Sequence, residues 1–285
     1  MTSNPGAGMP GDDTTKVALS AMASWPVTTA AALVVKPGAV LETYGDADHV
    51  FALASITKLF TAYATMLAVE EGSITLDTPA GPPDSTVRHL LAHTAGYGFA
   101  VDANVLAPPA KRRIYSNRGM EVLALAVEAA TGIPFSDYVR DGVFQPLGMD
   151  TSALAGSAAF AMSSTASDLA RFVQELFDPQ LLAPATVRDA VTVQFPDMNG
   201  AVPGFGMQRP CDWGLGFELK GTKAPHWTGT LVSPRTFGHF GGSGTFLWVD
   251  PDRQLACIVL TDRRFDTWAP PLWSTLSDQV VRTHG

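Results

Sequence analysis

The sequence predicts an α+β fold, an antiparallel sheet flanked by helices with an inserted all-helical lobe. Two observations carry this. Strand-like runs cluster near both ends, at 30–35 and 39–44 and again at 236–240, 245–249 and 255–260, and a block of helical periodicity separates them. The runs also succeed one another as hairpins, which makes neighbours antiparallel. Joining both strand groups in one sheet assigns residues 1–70 plus 191–285 to a sheet lobe and 71–190 to an inserted helical lobe. A chain of 285 residues is long enough for two lobes sharing a core.

In order, residues 1–15 are rich in Gly, Pro, Ser, Thr and Asp and read as a loose tail. Runs 30–35 and 39–44 flank Lys36-Pro37-Gly38, a hairpin turn. A helix opens at Ser55, carries Leu59, Phe60, Tyr63, Met66, Leu67 and Val69, and stops at Gly72. Residues 79–86 form a loop. Helices follow at 87–92, at 119–131 before Gly132, at 135–143 and at 186–193. Between the last two lies 167–177, where Leu169, Phe172, Val173 and Leu176 share one stripe. The Pro- and Gly-rich stretch 196–212 reads as a long loop. Strands return at 215–219, 236–240, 245–249 and 255–260, with a turn at 250–253, and 271–283 is a closing amphipathic helix.

Composition excludes several functions. The net charge of −8 speaks against nucleic acid, whose phosphates call for clustered Lys and Arg. The one basic cluster, Lys111-Arg112-Arg113, reads as a solvated loop or a local field near Tyr115. No apolar run approaches the roughly 18 residues of a membrane span. The first 26 residues hold Asp12 and Asp13 and lack a basic segment followed by an apolar one, so no secretory signal and a cytoplasmic location are expected. Cys211 and Cys257 provide no disulfide framework, and Cys257 falls in a strand where a buried, inert thiol is expected. Oligomeric state is not readable from the chain.

The chemistry lies in three short segments. Ser55-Ile56-Thr57-Lys58 places a hydroxyl and an amine three residues apart, on one helical face. A serine hydroxyl becomes a nucleophile when a neighbouring base takes its proton, and a desolvated lysine or a lowered-pKa tyrosine can do so. Tyr115-Ser116-Asn117 adds a phenol, a hydroxyl and an amide just before a helix. A phenol near cations ionises more easily, so Tyr115 can relay the serine proton to a leaving group. His239-Phe240-Gly241-Gly242 ends a late strand with an imidazole and glycines whose N–H groups can approach an oxyanion. Acyl transfer through a serine ester is the reading these residues support.

In that order, Ser55-x-x-Lys58, Tyr115-x-Asn117 and His239-x-Gly241 resemble the penicillin-recognising serine hydrolases, specifically the class C β-lactamase branch. That branch includes D-alanyl-D-alanine carboxypeptidases, D-aminopeptidases, carboxylesterases and acyltransferases. The resemblance runs from about residue 28 to 262 and includes Leu90–Gly96, Pro146–Met149, Ser164–Ala170 and Gly238–Gly244. It implies a β-lactamase/transpeptidase-like fold with Ser55 as nucleophile and Lys58 poising its proton network. Tyr115 would act as base and then acid, and Asn117 would hold the acyl side of the substrate. His239 would supply a cation or donor beside Tyr115, and the N–H groups of Ser55 and Gly242 an oxyanion hole, with Phe240 and Gly241 in the substrate-binding strand. No cofactor and no metal are called for. The departure is Phe240, where relatives acting on lactams and peptides usually carry a hydroxyl that binds a substrate carboxylate. With His239 in place of lysine, this favours a small ester over a β-lactam or D-peptide; acyl transfer and a catalytically silent binding protein remain the other readings.

Each residue also has a plainer reading. Ser55 and Lys58 read otherwise as an N-cap and a surface lysine, Tyr115 as a packed phenol, Asn117 as a helix cap and His239 as structural. His89 and His93 stand four apart, but no glutamate follows His89, so a metal pair is not expected. Ser243 reads as structural, and Gly204-x-Gly206 and Gly214-x-Gly216 as loop and strand-end glycines. Trp213, Trp227 and Phe240 are candidates for lining an acyl pocket.

Overall fold

A computed structural model describes residues 17–285; the expected loose tail at 1–15 lies outside them. In chain order the strands and helices are β1 (Ala30–Lys36), β2 (Ala39–Tyr44), β3 (Phe51–Ala52), α1 (Thr57–Glu70), α2 (Val87–Leu91), α3 (Asn117–Thr131) and α4 (Phe135–Val139). Then come β4 (Ala153–Leu154), β5 (Met162–Ser164), α5 (Ala166–Phe177), α6 (Pro184–Ala190), β6 (Gly200–Val202), β7 (Gly206–Gln208) and β8 (Glu218–Leu219). The set closes with β9 (Phe237–Gly241), β10 (Thr245–Asp250), β11 (Leu255–Thr261) and α7 (Ala269–His284). No single helix among the described residues is long and apolar enough to cross a membrane.

One antiparallel sheet runs β2-β1-β11-β10-β9-β8, so the early hairpin and the late strands share it as expected. Side chains alternate across a strand, and here both faces are covered. Leu33, Leu247, Ile258 and Leu260 point into a core shared with α1, α3 and α5. Val34, Phe246, Trp248 and Val259 point the other way, onto α7. Burial on both faces explains why β11 reads as one continuous apolar run. From within the helical block, α5 packs against β1 and β11.

Four elements differ from expectation. The 196–212 stretch holds a hairpin, β6 with β7, whose strands are too short to show a period of two. The strand expected at 215–219 shrinks to Glu218–Leu219, because Gly216 takes a positive φ of 84°. The helix expected at 135–143 ends at Val139 and continues through Phe144 as a wider π turn. A small sheet, β3-β5-β4, has no periodic signature in the sequence.

That small sheet fastens the start of α1. The Leu53 N–H donates to Met162 O at 2.9 Å, and the Met162 N–H donates to Thr57 Oγ1 at 3.1 Å. Thr61 Oγ1 donates to Ala158 O at 2.6 Å. The turn Ala54–Ile56 ahead of α1 is therefore held between this sheet and β9.

Candidate active site

Ser55 lies in the turn before α1 rather than inside the helix. Ala54, immediately before it, sits at φ 47°, a left-handed conformation that costs a non-glycine residue roughly 1–3 kcal/mol. Both flanks hold it there. Thr57 Oγ1 donates to Ala54 O at 2.6 Å, and β9 closes so tightly that a Cβ on Gly241 would lie 2.2 Å from Leu53 O. Glycine at 241 is what lets the strand approach the serine turn.

Two polar groups converge on the Ser55 hydroxyl. The Tyr115 phenol donates to Ser55 Oγ at 2.7 Å, and Lys58 Nζ lies 3.0 Å from the same oxygen. Lys58 is fully buried and also donates to Asn117 Oδ1 and to Ala159 O, each at 2.8 Å. Asn117 thus spends its carbonyl on Lys58, and the cap of α3 is Ser116, whose Oγ accepts from the Gly119 N–H at 2.9 Å. The surface-lysine and helix-cap readings are both replaced by this network.

Burial sets the ionisation. Desolvation pushes Lys58 well below its usual 10.5, with Glu121 acting weakly the other way. Desolvation pushes the Tyr115 phenol up, only partly opposed by its hydrogen bond to Ser55. This corrects the expectation that nearby cations would ease the phenol's ionisation. His239 is corrected in the same way. Burial brings it down to about 4, so it is neutral at pH 7 rather than a cation. As a neutral ring its Nδ1–H donates to Phe240 O at 2.7 Å, which leaves the buried Nε2 as an unpartnered acceptor, not a donor.

An apolar chamber of about 130 Å³ surrounds these groups, lined by Ser55, Tyr115, Trp213, His239, Phe240 and Gly242 among others. Phe240 belongs to an aromatic cluster, with ring centroids 5.1 Å from Phe265 and 5.8 Å from Trp273 of α7. Trp227 lies behind that wall, 5.8 Å from Phe240, and its indole N–H donates to Glu218 Oε2 at 2.9 Å. Glu218 also lines the chamber and was not singled out from the sequence. Its signal was a lone carboxylate in an otherwise apolar strand. Desolvation would raise its pKa, but Lys223, 3.2 Å away, and the His226 hydrogen bond outweigh it and keep Glu218 ionised.

The other residues considered from the sequence lie outside the chamber. His89 Nδ1 accepts from the Thr86 N–H at 3.2 Å, and His93 Nδ1 accepts from the Ser116 N–H at 3.2 Å. The two rings therefore serve different turns. Ser243 Oγ pairs with Thr245 Oγ1 at 3.1 Å. Cys257 is buried in β11, its thiol pushed up by desolvation. Arg113 departs from the solvated-loop reading. It is buried, donating to Cys211 O at 2.6 Å, to Gln194 O at 2.7 Å and to Ala92 O.

Comparison with known proteins bears on the family and the fold. A family model described as Beta-lactamase matches residues 20–279. The chain belongs to the beta-lactamase family. It is similar to a beta-lactamase from Mycobacterium bovis of known structure, 52% identical with a TM-score of 0.93, covering 94% of this chain and 99% of that one. Esterase EstB from Burkholderia gladioli is 28% identical over 57% of this chain and 50% of its own length. Penicillin-binding protein 4* from Bacillus subtilis (strain 168) is 29% identical over 36% of this chain and 30% of its own. The matched regions thus span half or less of these two curated relatives. Members of this family are serine hydrolases, and the fold is the β-lactamase/transpeptidase-like α+β arrangement.

Proposed function

We propose that the protein is a cofactor-independent serine hydrolase acting on esters through an acyl-Ser55 intermediate. The observation that carries this is the meeting of Lys58 Nζ and the Tyr115 phenol at one serine oxygen, at 3.0 and 2.7 Å. With Lys58 neutral, its two N–H groups go to Asn117 and Ala159 and its lone pair accepts the serine proton. The phenol, kept protonated, donates to Ser55 Oγ. Lys58 is then the base for attack and Tyr115 the acid that protonates the leaving oxygen, the Lys58 ammonium restoring the phenol's proton. This gives Lys58 the base role first expected of Tyr115. The backbone N–H groups of Ser55 and Gly242 stand as oxyanion donors. Water then cleaves the acyl-enzyme by the same groups in reverse.

The apolar wall at Phe240 and the neutral His239 support an ester whose acyl half is uncharged over a substrate whose carboxylate must be held beside that strand. The 52% identical Mycobacterium bovis protein, described as a beta-lactamase, favours lactam hydrolysis as the second reading. Parallel kcat/KM measurements on p-nitrophenyl acetate and nitrocefin decide between them, each corrected for its uncatalysed rate. The ester is expected to show the larger acceleration; a larger one for the lactam reverses the assignment. Adding a simple alcohol tests for acyl transfer, which would appear as a new ester product.

The pH dependence follows from the same geometry. The active form has Lys58 unprotonated, so kcat/KM falls as pH drops through the Lys58 pKa and is level above it. Because burial lowers that pKa below 10.5, the level region is expected to include mildly alkaline pH. The raised phenol produces no alkaline loss there. A rate still climbing through the ordinary lysine range would show that Lys58 is not held neutral.

A further inference from the structure

Beside the chamber lies a second, larger hollow of about 820 Å³ that the chemistry above does not use. Phe99, Tyr115 and Pro203 line both cavities, so the two adjoin along these residues. The larger one reaches Tyr115 but neither Ser55 nor Gly242. Its walls are mostly apolar and open to solvent: Phe99 is 57%, Leu106 59% and Met207 58% exposed, with no protein partner covering them. Its charge comes from Lys111, Arg112 and Asp197, two cations to one carboxylate, since the Arg113 guanidinium is turned inward onto backbone carbonyls. Backbone bonds pin the far wall. The Arg113 N–H donates to Asn199 O at 3.0 Å and the Cys211 N–H to Met198 O at 2.7 Å, so the hollow is built rather than an accident of loose loops.

The geometry points to a leaving-group site: the substrate is an ester of a short acyl group with a large, apolar, anionic alcohol. This rests on the ester-hydrolase reading and deepens it. In acyl transfer the carbonyl must sit between nucleophile and oxyanion donors, which places the acyl chain in the 130 Å³ chamber holding Ser55 and Gly242. The leaving oxygen must face the acid that protonates it, and Tyr115 lines the 820 Å³ hollow as well as the chamber. Volume therefore divides the substrate unequally. Lys111 and Arg112 complement a negative group on the alcohol half.

The test uses phenyl acetate, 1-naphthyl acetate and 4-sulfo-1-naphthyl acetate, with p-nitrophenyl acetate and octanoate for the acyl side, each rate divided by its alkaline hydrolysis rate. The sulfonated naphthyl ester is expected to exceed phenyl acetate by about tenfold or more, and the octanoate to fall below the acetate by a similar factor. In the double variant Lys111→Ala/Arg112→Ala the ratio of sulfonated to plain naphthyl ester should drop toward one. Turnover with flat or reversed preferences overturns the leaving-group site and leaves the hydrolase reading standing. A second measurement is independent of turnover: binding of 4-hydroxynaphthalene-1-sulfonate to Ser55→Ala protein, followed by NMR. Binding that is lost in the added Lys111→Ala/Arg112→Ala changes, with no turnover of any ester by the wild type, keeps the site and sinks the hydrolase reading. Neither turnover nor binding overturns both.

Discussion

Replacing Ser55 by alanine is expected to lower ester turnover by roughly four orders of magnitude or more, as removal of a catalytic nucleophile does elsewhere. The change removes one oxygen. The Lys58 and Tyr115 side chains keep their positions through partners that do not involve Ser55: Asn117 and Ala159 for Lys58, and the His93 ring, 4.8 Å away, for Tyr115. Thermal unfolding should therefore change little. A fluorophosphonate adduct, measured by intact mass on the wild type and absent from Ser55→Ala, ties the loss to covalent chemistry at this residue. Retained turnover in Ser55→Ala removes the proposed nucleophile.

Lys58→Met is the second large effect and separates the two candidate bases. Methionine fills much the same buried space but accepts no proton, so kcat should fall by roughly 10²–10⁴. It also leaves Asn117 Oδ1 and Ala159 O without their donor, at a cost of about 1–3 kcal/mol for each acceptor left unsatisfied. Removing a buried amine relieves its desolvation and offsets part of that cost. Tyr115→Phe is the companion. It should hurt esters of poor leaving groups more than p-nitrophenyl esters, because an activated phenolate departs without an acid. If instead Lys58→Met spares the rate and Tyr115→Phe removes it for all esters alike, the phenol is the base.

Legibility in the sequence differs from residue to residue. The spacing of Ser55 and Lys58 is local, so one turn of backbone was enough to place them side by side. Tyr115 is sixty positions from Ser55, and only the ordered motifs suggested the meeting that the fold brings about. Ionisation was not legible. Lys58, Tyr115 and His239 owe their shifts chiefly to desolvation, which depends on what packs around them rather than on neighbours in the chain. The long strands β1, β2, β10 and β11 announced themselves through hairpin order and apolar runs. The two-residue strands β3 and β4 carry no period, yet with β5 they anchor the serine turn. Arg113 read as part of a charged surface cluster because nothing in Lys111-Arg112-Arg113 distinguishes the member that turns inward. Glu218 escaped notice for the opposite reason: one acid among apolar residues looks incidental until Lys223 and His226 are found beside it.

The aromatic contact between Phe240 and Trp273 has a reach beyond packing. It makes α7 a backstop for the reacting acyl group, although no residue of that helix lines the chamber itself. Fusions, tethers or substitutions that shift α7 against the sheet become remote adjusters of acyl length. Selectivity can then be retuned from the outer layer of the molecule while the proton-transfer machinery stays untouched.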